Sequence, residues 1–165
     1  MSNGMSISNP KANSSSIAAP EQAGAARIAR GVRRMFAASG YSTASEMILP
    51  DGRRADLVAL APDGSIEIVE IKSSLADFRA DRKWRFYLEF CDRLYFALDD
   101  RTPQHVVPDD AGLILADGFS ATIVRASEMV PIAAARRKSI ILRFARHAAD
   151  RLHALQDPRW RDHEF

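Results

Sequence analysis

Glu46, Asp56, Glu70 and Lys72 fall within residues 46–72, spaced by two copies of one turn, Pro50-Asp51-Gly52 and Pro62-Asp63-Gly64. In a three-residue hairpin loop the first two residues form a type I turn and the third takes a left-handed conformation. Pro presets φ at the first corner and Gly tolerates positive φ at the last, so Pro-Asp-Gly suits that loop. If both turns are of this kind, Leu49 faces Arg53 and Ala61 faces Ser65. Glu46 then lies opposite Asp56, and Asp56 opposite Glu70. Three acids share one rung of three adjacent strands, with side chains ~5 Å apart. Alternation by two puts Lys72 on the face of Glu70, together with Val58, Leu60, Ile66 and Ile68. Acids at the end of an apolar face, directly across from one another, are costly unless neutralised. Two neutralisers fit. One is a salt-bridge ladder, with Arg54 and Lys72 balancing the carboxylates. The other is a divalent cation, Mg²⁺ or Mn²⁺, which takes hard oxygen ligands. Asp56, Glu70 and the main-chain carbonyl of Ile71 are the candidate donors, with Glu46 as a further one. A β-bulge or a one-residue slip would undo the arrangement.

The elements that must position these residues are legible from periodicity. Residues 25–39 read as a helix, with Ile28, Val32, Met35 and Phe36 on one stripe and Arg27, Arg30, Arg33 and Arg34 on the other side. Three strands follow at about 42–49, 53–61 and 65–72. A second helix is expected from about Asp81, burying Trp84, Tyr87, Leu88 and Cys91. Residues 93–98 (RLYFAL) read as a buried strand, and 99–111 as a loop with room for one helical turn. Short strands near 113–116 and 121–125 precede a long helix, about 133–156, with Ile140, Ile141, Phe144, Ala148, Leu152 and Leu155 inward. This order predicts an α/β domain, a mixed β-sheet flanked by helices.

Composition removes several classes of function. The chain has 165 residues, 47% hydrophobic and 27% charged, which suits one globular domain. A single cysteine, Cys91, excludes an internal disulfide, and four scattered histidines add no structural zinc site. No apolar run approaches a membrane span and no secretory signal is evident, so a cytoplasmic location is expected. Residues 1–24 are rich in Ser, Asn, Ala, Gly and Pro and read as a disordered tail. Residues 25–165 form the single domain. A net charge of +2 permits a polyanionic partner without requiring one.

An acid in a strand, a short hairpin and Glu-x-Lys in the next strand (Asp56, then Glu70-Ile71-Lys72) resemble the PD-(D/E)XK nuclease superfamily. Within it, RRADLVAL, VEIKSSLADFRADRKWRFYLEFCDRLYFAL and DDAGLILAD resemble the MmcB-type DNA repair endonucleases. The resemblance runs from about Ala25 to the C-terminus. It implies a restriction-endonuclease-like core and metal-dependent hydrolysis of DNA phosphodiesters, with a role in repair. Asp56 and Glu70 would then be metal ligands and Lys72 the catalytic lysine. Two departures stand out. Ala55 replaces the usual proline before the aspartate, and the helix read at 25–39 lacks the acid many members carry there. Glu46 substitutes for that acid, or a second metal site is absent. The alternative function is a catalytically inactive DNA-binding module of a repair assembly on the same fold.

DNA as partner calls for cations beside the rung. Arg54, Lys83, Arg30, Arg34, Arg79 and Arg82 are the candidates. Cations of the last helix, among them Arg136, Arg137, Lys138, Arg143, Arg146 and Arg151, match a solvated helix face as readily. Trp84 and Cys91 read as core residues. His105, His147, His153 and His163 have no companion in the sequence and receive no role.

Overall fold

In the computed structural model, which describes residues 20–74 and 84–158, six strands form one mixed sheet in the order β1-β2-β3-β4-β5-β6. The strands are β1 Ser42–Ile48, β2 Arg54–Leu60, β3 Ile66–Ile71, β4 Arg93–Leu98, β5 Gly112–Ala116 and β6 Ala121–Arg125. β1 to β3 form an antiparallel meander, β3, β4 and β5 run parallel, and β6 returns antiparallel. Every residue of the central strand β3 is buried. The expected α/β mixed sheet is therefore present.

Both Pro-Asp-Gly turns close as their residue types require. Gly52 and Gly64 each have φ 85°. Leu49 N–H donates to Arg53 O at 2.7 Å and Ala61 N–H to Ser65 O at 2.9 Å.

Helix α1 (Pro20–Ala38) covers one face of the sheet with Ile28, Val32 and Phe36. It begins five residues before the expected boundary, with Pro in the first turn, where its missing N–H costs nothing. An acid, Glu21, therefore stands on this helix, unlike the shorter one read from the sequence. Of the tail expected at 1–24, residues 20–24 belong to this helix, and 1–19 lie outside the described residues.

The other face is covered by a 3-10 helix (Trp84–Glu89) and by α2 (Ala134–Gln156). Three residues per turn, rather than 3.6, align Trp84, Tyr87 and Phe90 on the core and turn Leu88 outward, which corrects the expected helix face. The start expected for that helix near Asp81 lies outside the described residues. On α2, Ile140 and Phe144 are buried, but Ala148, Leu152 and Leu155 are exposed, contrary to expectation. Its 23 residues extend about 35 Å at about 1.5 Å each, longer than the edge strand β1 beside it. Among the described residues, no helix is long and apolar enough to cross a membrane.

Candidate active site

Main-chain pairing between β2 and β3 runs from Leu60↔Ile66 to Leu57↔Val69 and stops there. Side chains close the next rung. Ile71 N–H donates to Asp56 Oδ2 at 2.9 Å, and Asp56 N–H to Glu70 Oε1 at 3.4 Å. Each acid takes a backbone donor of the opposite strand, where an unbroken ladder would place a carbonyl. The strands part, and a cleft of about 610 Å³ opens between them and the start of α1. Asp56, Glu70, Ile71 and Lys72 line it on the strand side. Ala25, Ala26 and Ala29 line it on the helix side, small residues that leave the space open.

Glu70 and Lys72 are buried, with 4% and 6% exposure, and Lys72 Nζ lies 3.8 Å from Glu70 Oε2. The structure thus brings together Asp56, Glu70, Ile71 and Lys72; of the three acids read from the two turns, Asp56 and Glu70 are joined across the strands. Three acids, Glu46, Asp56 and Glu70, against two cations, Arg54 and Lys72, leave the cleft one negative charge in excess, which suits a dication. The donor chemistry, two carboxylates and a main-chain carbonyl, matches the hard oxygen shell of Mg²⁺ or Mn²⁺. Among the described residues, no group of three His, Cys, Asp or Glu side chains converges for metal binding, so two acidic side chains are the available set.

Glu46 departs from the expected rung. Its φ is +57°, a left-handed conformation that a non-glycine strand residue rarely takes. The pairing of β1 with β2 keeps its register on both sides, yet Glu46 itself is unpaired. The inward faces switch at this point. Ala44 and Val58 pack in the cluster under α2 on one side, and Met47 and Ala55 on the other, three residues apart instead of two. Glu46 sits at the cleft rim, over half exposed, 3.6 Å from Arg54 and 3.9 Å from Arg151. The salt-bridge reading describes this exposed trio, where such pairs contribute about 0–1 kcal/mol. It also covers the buried Glu70, paired with Lys72, while the half-buried Asp56 accepts a backbone N–H.

The cations selected for DNA fare differently. Arg54 lines the cleft. Arg30 Nε donates to Gly118 O at 2.8 Å and Arg34 to Phe119 O at 3.4 Å, so both pin the β5–β6 turn against α1. Arg79, Arg82 and Lys83 lie outside the described residues. Trp84 is buried edge-on against Phe96, a core residue as expected.

Two buried acids escaped the sequence reading. Asp92 accepts the N–H of Ile66 and Ile132 and forms a two-pronged pair with Arg137 at 2.6 and 2.8 Å. Arg137, expected on a solvated face, is therefore a structural clamp. Glu67 accepts a 3.1 Å hydrogen bond from Tyr41 and lies 3.6 Å from Arg93. Burial pushes its carboxyl above the ordinary range, although Tyr41 and Arg93 pull the other way. Their partners are distant in sequence, and no local pattern announces them.

With this geometry in place, comparison with known proteins adds the family. The family model described as DNA repair protein MmcB-like matches residues 12–159. The chain belongs to the MmcB-like family. Among solved structures, this MmcB-like chain is similar to the SPO1766 protein of unknown function from Silicibacter pomeroyi. The two are 44% identical with a TM-score of 0.82, over 86% of this chain and 96% of that one. No curated protein matches. The family description carries a role in DNA repair, and with it an association with DNA.

Proposed function

We propose that the MmcB-like chain is a metal-dependent DNA endonuclease with a restriction-endonuclease-like, PD-(D/E)XK core, acting in repair in the cytoplasm. The observation that carries this reading is the opening of β2 from β3 at Asp56 and Glu70. It leaves Asp56, Glu70, Ile71 and the buried Lys72 lining one cleft. Asp56, Glu70 and the Ile71 carbonyl would hold Mg²⁺ or Mn²⁺. When bound, such an ion polarises a phosphate oxygen and acidifies water.

The chain's own residues supply the rest. Asp56 is oriented by the Ile71 N–H, so a donor and the strand that carries the next donor are fixed to each other. Lys72 is held beside Glu70 with its charge in the cleft, where it orients the attacking water or stabilises negative charge on the phosphorane. Arg54, at the rim, meets the flanking phosphate. The alternative is a catalytically silent DNA-binding module, favoured by the 3.8 Å Lys72–Glu70 pair, since a lysine also neutralises acids without any metal.

Purified protein with Mn²⁺, incubated with duplex, flap, junction and lesion-bearing DNA, separates the two. The nuclease reading expects cleavage of at least one substrate, abolished by chelator and by Glu70→Gln. DNA binding without cleavage on every substrate selects the silent module.

A further inference from the structure

A second cleft, about 480 Å³, lies on the far side of Glu46, between β1 and α2. Ile48 and Leu142, half exposed, form its apolar wall, and Arg143 and Arg146 supply its cations, beside His147 and one acid, Asp150. Arg143 and Arg146 are exposed and make no ion pair among the described residues. Arg30 and Arg34, by contrast, are held by hydrogen bonds to carbonyls of the β5–β6 turn.

The two clefts share one strand. Ser45 and Glu46 line the acid cleft, and Met47 and Ile48 line this one. Glu46 and Ile48 are two residues apart, about 7 Å at about 3.3 Å each. The kink at Glu46 turns the Ser45 carbonyl to α2, where it accepts from His147 Nε2 at 2.9 Å and from Arg151 at 3.0 Å. That contact fixes α2 beside the acid cleft. Arg54 and Arg151 flank Glu46 between the clefts, and Arg143 and Arg146 line the second one.

A duplex backbone presents phosphates and sugars to a protein, and needs cations alone. An unpaired strand also presents base faces, which seek apolar or planar surfaces between the phosphate contacts. Apolar side chains standing exposed between guanidinium groups meet the second requirement. We infer that the β1–α2 cleft seats an unpaired nucleotide of the DNA strand whose scissile phosphate lies in the acid cleft. This rests on the proposed nuclease reading and assigns its substrate class, DNA with a single-stranded segment beside the cut.

The test is fluorescence anisotropy of the full chain, without metal, on a labelled oligothymidylate and on a duplex of equal length across a salt series. The inference expects tighter binding of the single strand at each salt concentration. Arg143→Ala/Arg146→Ala should weaken it and flatten its log–log salt dependence by about 1.4, two contacts at about 0.7 each. Leu142→Ser should weaken single-strand binding several-fold with the salt slope unchanged. Equal or tighter binding of duplex, or wild-type single-strand binding by both variants, overturns the inference. Because chemistry is absent from the assay, its failure is distinct from failure to cleave. An unaffected double variant alongside normal Mn²⁺-dependent cleavage overturns this cleft and leaves the nuclease reading intact.

Discussion

Asp56 and Ile71 are joined across the opening between β2 and β3 by a 2.9 Å hydrogen bond from the Ile71 N–H to Asp56 Oδ2. One carboxylate thus ends the ladder and faces the cleft. The two tasks separate by substitution. Asp56→Asn retains an oxygen acceptor for Ile71 but loses the charge. Asp56→Ala loses both and leaves a half-buried N–H without its acceptor, at about 1–3 kcal/mol. Urea unfolding should place Asn near the parent and Ala below it. Equal losses for the two would mean the hydrogen bond contributes nothing to the fold.

The part of this site that was legible came from the turns. Pro50-Asp51-Gly52 and Pro62-Asp63-Gly64 dictate their own backbone, and that local rule reaches as far as Asp56 and Glu70. Glu46 broke the extrapolation because its positive φ goes with a tertiary contact, the Ser45 carbonyl reaching His147 and Arg151 of α2. Nothing near residue 46 encodes that. The exposed Leu152 and Leu155 have a similar origin. Periodicity defines a helix face but not where the sheet beneath it ends. The pairing of Asp92 with Arg137, 45 residues apart, is likewise invisible to local pattern.

Lys72→Ala should separate chemistry from binding. On the proposed reading the acids hold the metal, so affinity for Mn²⁺ should persist or rise as a neighbouring positive charge is removed. Cleavage should fall by about two orders of magnitude or more, as for loss of a transition-state stabiliser. Cleavage at the parental rate would reduce Lys72 to a structural counter-charge for Glu70.

At Glu46 the usual strand preference should invert. In an ordinary strand, glycine is less stable than alanine. At φ +57° alanine bears a left-handed penalty of about 1–2 kcal/mol that glycine escapes. Glu46→Gly should therefore be more stable than Glu46→Ala in thermal unfolding. The reverse order would remove the kink from the account.

Asp92 should be the acid-sensitive tie of the fold. Burial raises its carboxyl pKa, but the Arg137 hydrogen bond and the N–H groups of Ile66 and Ile132 outweigh this and hold it below the ordinary 3.8. A depressed folded pKa contributes stability above the unfolded value that is lost as pH falls through the folded one. Asp92→Ala should cost about 1–3 kcal/mol at neutral pH, the scale for leaving a buried N–H such as that of Ile66 without its acceptor, because Arg137 is partly exposed and regains water. The gap between parent and variant should narrow as pH drops below 3.8. A gap independent of pH would show that the ionised form is not what stabilises.

The central claim is that Asp56 and Glu70 hold a divalent metal in the opening of the sheet. Calorimetric titration of the folded protein with Mn²⁺ tests it most directly. The parent should take up Mn²⁺, and Glu70→Gln and Asp56→Asn, folded by circular dichroism, should each lose that uptake. A parent that binds no Mn²⁺ or Mg²⁺, or variants that bind as the parent does, would contradict it.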